Sequence, residues 1–194
     1  MDDPRTDEAL MLAYRDGDAA AFETLYGRWR GRLYRYVAHQ APDHADELFQ
    51  DVWLRVVGAR VGYEVTARFS TWLFRIAHNR LMDHHRGRAR SVVALHDDPE
   101  QDPADDLPAS ELDEPPVTLE RKQMAQRILN ALAELPPPQR EAFLLAEEGG
   151  MGLAEIADAT GVGRETAKSR LRYAHARLRH ALSGLGADRR ERHG

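Results

Sequence analysis

The chain contains no cysteine, which excludes a disulfide framework and any thiolate metal site. It has no apolar run approaching membrane-spanning length, and its opening residues, MDDPRTDEAL, are acidic where a secretory leader is basic and then apolar. A cytoplasmic protein without membrane contact is expected. Lysine is nearly missing, with Lys122 and Lys168 its two occurrences. Almost all positive charge is therefore guanidinium, which suits bidentate contacts to phosphate and guanine and also accompanies a GC-rich genome. Alternating strand patterns and internal repeats are lacking too.

Nothing in the sequence supports catalysis. No glycine-rich phosphate loop, activated nucleophile or buried pair of carboxylates is visible. Nine histidines are present, and His78, Asp83, His84 and His85 lie close in sequence. Their separations do not give the paired ligands, four residues apart, of a zinc protease helix. No cofactor, metal or enzymatic activity is expected.

The net charge of -5 is unevenly spread. Ser91 to Pro116 carries nine acidic residues, no Lys or Arg, and Pro99, Pro103, Pro108, Pro115 and Pro116, leaving the rest of the chain net positive. Such a segment cannot bury enough apolar surface to order itself and reads as a linker. Before it, helical periodicity covers Glu8 to Arg15, Ala19 to Gln40, Ala45 to Val57 and Phe69 to Arg86, with breaks at Gly17, Ala41-Pro42 and Gly58 to Ser70. After it come Thr118 to Leu135, a stop at Pro136-Pro137-Pro138 with Pro138 opening the helix Gln139 to Glu148, and then Gly149-Gly150. The expected fold is all-α: two small helical domains, residues 1–90 and 117–194, each with a modest core, joined by an acidic flexible linker over 91–116.

The last stretch, Gly152 to Leu182, reads as two helices broken at Gly161-Val162-Gly163. In the second, Ala167, Leu171, Ala174, Leu178 and Leu182 form an apolar stripe, while Arg164, Lys168, Arg170, Arg172, Arg177, Arg179 and the nearby Arg189 decorate the helix and its exit. A short helix, a glycine turn and a basic helix are the parts of a helix-turn-helix DNA reader. Glu165, Ser169, Arg172 and Tyr173 point away from the stripe, with Lys168 on its flank; these five and Arg164 are candidate duplex contacts. In the first block, Phe69, Trp72, Leu73, Ile76, Ala77 and Leu81 share a face of a helix ending in Arg80, Arg86, Arg88 and Arg90. Tyr63, Phe69, Trp72 and Phe74 beside that basic helix have the composition needed to hold unstacked bases against π faces. An amphipathic core helix with a solvated basic end fits the same pattern.

The run from Phe69 through Trp72, Leu73, Ile76 and Ala77 to Asn79, with Asp83 and Arg86, preceded by Ala45 to Trp53, resembles the second conserved region of extracytoplasmic-function (ECF) sigma factors, the promoter-specificity subunits of bacterial RNA polymerase. Leu135-Pro136 through Leu145, with Glu155-Ile156-Ala157 and Thr166 to Leu171, is similar to their fourth region. The two regions together cover about four-fifths of the chain, in order. The resemblance implies that Asp46, Glu47, Gln50, Asp51 and Trp53 dock on the beta-prime clamp coiled coil of core RNA polymerase, and that the fourth region meets the beta flap. It implies a minus-ten base pocket at Ala59, Tyr63, Ile76 and Asn79, with Arg80 or Arg86 steadying the strand, and a fourth region reading the minus-thirty-five element. It further implies that the acidic linker passes through the polymerase, and that a separate anti-sigma factor controls the protein. Three positions depart from the family pattern: Arg172 precedes Tyr173 where an apolar or aromatic residue usually comes first, Ala167 stands where valine is common, and Gly163 where serine or proline is frequent. The competing reading is a conventional transcription regulator that binds an operator without joining polymerase.

Overall fold

The computed structural model describes residues 3–94 and 119–183, and its regular structure among them is helical. Eight α-helices follow in order: α1 Asp7–Arg15, α2 Ala19–Gln40, α3 Ala45–Ala59, α4 Phe69–Ala94, α5 Leu119–Ala133, α6 Pro137–Glu147, α7 Leu153–Thr160 and α8 Arg164–Ser183. Short 3-10 turns at Pro42–His44 and Arg60–Gly62 lead into and out of α3. Residues 95–116 of the expected linker, and Arg189, lie outside the described residues.

Local chemistry explains the boundaries. Thr6 caps α1 by accepting the Ala9 N–H at 3.2 Å, and Asp18 caps α2 by accepting that of Ala21 at 3.2 Å. Between these helices Gly17 takes φ +110°, a conformation open to glycine. At α6 the cap is Pro136, so Pro137 opens the helix and Pro138 comes second, one residue earlier than the sequence pattern suggests. Neither proline costs a hydrogen bond there, because first-turn N–H groups have no helical partner. Helix α4 runs to Ala94, beyond Arg86 and past the expected linker boundary at residue 91. Ser91, Val92, Val93 and Ala94 include no helix breaker; the first proline beyond them is Pro99.

The larger correction concerns the two cores. Leu10, Met11, Leu25, Leu33, Leu48, Val52, Phe69, Leu73 and Phe74 are buried in one apolar cluster. That cluster continues without a break into Leu144, Leu145, Met151, Ile156 and Ala167 of the second block. Each fully buried Leu or Phe contributes about 1.5–3 kcal/mol, and the cluster joins α1–α4 to α6–α8. A satellite cluster of Ala131, Leu132, Leu135, Ala174 and Leu178 ties α5 to α8. At the junction, Gly149 approaches Phe74 so closely that a Cβ would stand 3.1 Å from the ring and 2.7 Å from the Leu145 carbonyl oxygen. Sequence reading treats each block as closing its own core; instead α2 packs on α6 and α4 on α7, so that each block covers apolar residues of the other.

Candidate nucleic-acid interface

In the helix-turn-helix, α7 starts with the Gly152 N–H donating to Glu155 Oε2 at 2.7 Å and stops at Gly161 in the left-handed region, φ +66°. Helix α8 then buries Ala167, Ala174 and Leu178, with Leu171 and Leu182 half-buried. Its opposite face exposes Arg164, Glu165, Lys168, Arg172 and Tyr173, while Ser169 is half-buried. Lys168 lies 3.7 Å from Glu165, and the Arg172 guanidinium sits 5.0 Å from the centroid of the Tyr173 ring. Tyr173 is 52% exposed, a large surface for an aromatic residue with no packing role. Five of the six candidate duplex contacts thus share one solvent-facing surface.

The first block departs from expectation. Tyr63 is 2% exposed, its ring 5.0 Å from that of Trp72 and 6.5 Å from that of Phe69. Burial, with Glu8 and Asp7 nearby, pushes its hydroxyl up to about 12. Phe69 and Phe74 are wholly buried and Trp72 is half-buried. These four aromatics build the core under the loop, and none offers an open face to a base in this conformation. Ile76 is half-buried against the same cluster. Ala59, Asn79 and Arg86 are exposed as a contact requires. Arg80 is not free: it pairs with Asp51 at 2.7 Å and Glu47 at 3.7 Å, which joins α4 to α3. Arg86 pairs with Asp83 on its own helix at 2.7 Å.

On α3, Asp46, Glu47 and Gln50 are exposed and Asp51 is half-buried. Trp53 is not an exposed anchor. It is 6% exposed, with the rings of Phe22, Tyr26 and Phe49 packed around it at 5.0–6.4 Å. One residue on, Leu54 is 67% exposed and shares a face with Glu47, Gln50 and Asp51. Spacing could have revealed it, since Leu54 stands four and three residues from Gln50 and Asp51, but the larger indole drew the assignment. Sequence reading also missed a line of cations facing the second block. Arg35 grips Glu148 through two bonds of 2.9 Å, and Arg32 donates to the Glu147 carbonyl oxygen at 2.8 Å. Arg68 donates to the Gly150 carbonyl oxygen at 2.8 Å and to Glu155 at 2.5 Å, and Arg75 pairs with Asp158. At the centre of this seam His78 Nδ1 lies 2.6 Å from Glu141, both buried. His78 therefore belongs to an interhelical pair, not to a cluster with His84 and His85.

An exposed basic face on a helix-turn-helix, joined to a first helical block whose α3 carries an acidic surface, is the arrangement of a DNA-binding protein with a further macromolecular contact. Residues 22–91 match the family described as Sigma-70 region 2, and residues 125–178 match Sigma-70, region 4. The chain is 34% identical over 189 residues to the ECF RNA polymerase sigma factor RpoE of Cereibacter sphaeroides, covering 92% of this chain and 97% of that one. It is 31% identical to the RNA polymerase sigma factor CarQ of Myxococcus xanthus, covering 90% and 97%. The sigma factor RpoE of Bartonella quintana, solved in complex with the anti-sigma factor NepR, superposes with a TM-score of 0.66 at 25% identity, over 84% of this chain and 96% of that one. The fold of CnrH, solved with the cytosolic domain of CnrY, is similar at a TM-score of 0.62 and 21% identity, over 93% and 99%. The chain belongs to the ECF group of RNA polymerase sigma factors, which direct promoter-specific transcription initiation. A regulator confined to an operator would not need both regions.

Proposed function

We propose the following division of labour among the surfaces. The outer face of α3, with Asp46, Glu47, Gln50 and Leu54, docks on the beta-prime clamp coiled coil of core polymerase, Leu54 taking the anchoring place expected of Trp53. The exposed end of α3 at Ala59 and the exposed side of α4 at Asn79 and Arg86 meet the minus-ten strand. Tyr63 joins that pocket only if its loop shifts, since its ring is enclosed. Arg164, Glu165, Lys168, Ser169, Arg172 and Tyr173 enter the major groove at the minus-thirty-five element. A groove between α5 and α8, lined by Ala131, Leu135, Ala176 and Ala181 with Met124 and Ile128 exposed nearby, suits the beta flap.

The observation that carries this reading is the segregation of surfaces: the reading face of α8 is basic and open, while the outer face of α3 is acidic with one exposed leucine. Opposite charges on the two faces suit opposite partners, a nucleic acid and a basic protein surface. The protein works in the cytoplasm, where it binds core polymerase and promoter DNA without catalysing a reaction itself; no described helix is long and apolar enough to cross a membrane. A separate anti-sigma factor holds it inactive, as NepR is bound to the Bartonella protein. Run-off transcription with core polymerase and a randomised promoter library tests the whole reading. Selection of two spaced elements is expected; template binding without core-dependent transcripts would overturn it.

A further inference from the structure

The seam between the two blocks pairs charges in a consistent direction. Among the described residues, the arginines bonded across it come from the first block, as Arg32 and Arg35 on α2, Arg68 just before α4 and Arg75 on α4. Every acceptor comes from the second, as Glu148, Glu155, Asp158 and the Glu147 and Gly150 carbonyl oxygens. The acceptors run in chain order along residues 147–158. Arg35 holds Glu148 by the two-pronged geometry that guanidinium also uses on phosphate. Even when paired, the four arginine side chains stay 42–55% exposed, so their surroundings remain wet enough for another anion to exchange in.

The closed arrangement also conflicts with reading two promoter elements at once. Elements ten and thirty-five base pairs upstream lie about 25 base pairs apart, on the order of 80 Å of duplex. A compact body of this chain length is roughly 40 Å across. With His78 and Glu141 2.6 Å apart across the seam, the two readers belong to one such body. The chain between Ala94 and Leu119, drawn out, reaches roughly 80 Å, so parting the seam resolves the conflict.

We propose that Arg32, Arg35, Arg68 and Arg75 form a track for the phosphate backbone of promoter DNA, and that Glu148, Glu155 and Asp158 occupy it as an internal stand-in, so that closure of the seam and strand capture compete. The partner is a nucleic-acid backbone rather than an acidic protein, because the track is continuous with the exposed side of α4 assigned to the minus-ten strand; the inference rests on that assignment. Opening exchanges arginine–carboxylate pairs for arginine–phosphate pairs and exposes the apolar surface that Leu144, Leu145 and Met151 share with the first block, a cost the phosphate contacts must offset, and at the same time frees the second block to reach the distant element. The buried His78–Glu141 pair fits a reversible contact, since groups that hydrogen-bond each other when closed are solvated when open.

The absence of native cysteine makes the test direct. Ala20→Cys and Ser183→Cys, both exposed and away from the seam, carry a donor and an acceptor dye on the full chain, and an oligodeoxythymidine of about 20 nucleotides serves as a sequence-neutral backbone probe. Energy transfer should fall as the oligonucleotide saturates the protein. Neutralising the stand-in with Glu155→Gln and Asp158→Asn should tighten oligonucleotide binding about tenfold near physiological salt, the release of two exposed pairs. The equally neutralising control, Glu23→Gln with Asp43→Asn, should not. Adding Arg68→Gln and Arg75→Gln to the neutralised seam should abolish the gain. Saturation without loss of transfer, equal affinities in the two neutralised proteins, or a gain that survives loss of both arginines would each overturn the proposal. Core-dependent transcription separates its failure from that of the α4 assignment. Normal transcription without competition sinks the stand-in alone, whereas competition accompanied by normal transcription from Asn79→Ala sinks the assignment of α4 and leaves the seam standing.

Discussion

Arg80 Nε donates to the Asp51 carboxylate at 2.8 Å, joining the helix assigned to the minus-ten strand to the helix assigned to polymerase docking. The Arg80 side chain is 13% exposed, so the pair is better shielded than an ordinary surface bridge. A double-mutant cycle of Asp51→Asn and Arg80→Gln, read by urea unfolding, should give a coupling of about 1 kcal/mol. Strict additivity would mean that the two helices are held together by apolar contacts alone.

Docking separates Trp53 from Leu54. Trp53→Ala removes a ring enclosed by Phe22, Tyr26 and Phe49 and should cost about 3–5 kcal/mol of stability. Leu54→Ala should leave the melting temperature nearly unchanged and, combined with Glu47→Arg, weaken binding to core polymerase by about 2 kcal/mol. Titration of labelled core polymerase measures this. Full affinity in the folded Leu54 and Glu47 double variant would move the docking face off α3.

These two helices show what was legible in the sequence. Periodicity places the helices of both blocks within about two residues except at the end of α4, which runs to Ala94 rather than Arg86, and the exposed face of α8 follows from its apolar stripe, because one amphipathic helix carries both signals. Tyr63, Trp53 and Phe74 were misleading because a large aromatic on an amphipathic helix is equally suited to a core and to a contact, and neighbours distant in sequence decide between them. Trp53 is enclosed partly by Phe22 and Tyr26, from a different helix. The seam was invisible for a related reason. Arg35 and Glu148 lie 113 positions apart, and neither stands out in its own helix.

Glu155 gives the seam a pH dependence of definite sign. Burial raises its carboxyl, but bonds from Thr71, the Gly152 N–H and Arg68 outweigh this and hold it below its ordinary value of 4.5. A depressed carboxyl stabilises the fold above its unfolded pKa and loses that contribution as pH falls through the folded one. Glu155→Gln should therefore cost about 1 kcal/mol at neutral pH, with the difference from the native chain shrinking below the ordinary value. Paired thermal melts from neutral to acid pH follow it; a gap that does not close on acidification would exclude the ionised carboxylate as its source.

On the recognition helix, Lys168→Ala and Arg172→Ala should each weaken minus-thirty-five binding by about 1–3 kcal/mol. The residue touching phosphate lowers the salt slope and spares sequence preference, while the one touching a base edge relaxes preference at one position. Arg172 lies over its neighbour Tyr173, so Tyr173→Ala should resemble Arg172→Ala if the ring orients the guanidinium. Binding curves over a range of salt and single-base variants separate these cases, and two mutants with native curves would remove α8 from the groove.

The burial of Tyr63 decides how the minus-ten pocket must be tested. Tyr63→Ala would empty the space against Trp72 and Phe69 and cost about 3–5 kcal/mol of stability, so a failure to open promoters would not distinguish a lost stacking surface from a collapsed loop. Asn79→Ala carries no such ambiguity, because its amide is exposed on α4 and offers both a donor and an acceptor to a base edge. It should bind duplex promoter through α8 normally, weaken single-strand capture by about 1–3 kcal/mol, and stall before opening. Tyr63→Phe keeps the packing and loses only the hydroxyl, so it should open promoters at the native rate if the ring alone matters. Permanganate reactivity of minus-ten thymines reads both variants, with a pre-melted template as the reference that should partly rescue Asn79→Ala if melting is its defect. Native reactivity in Asn79→Ala would place the captured base elsewhere on α4.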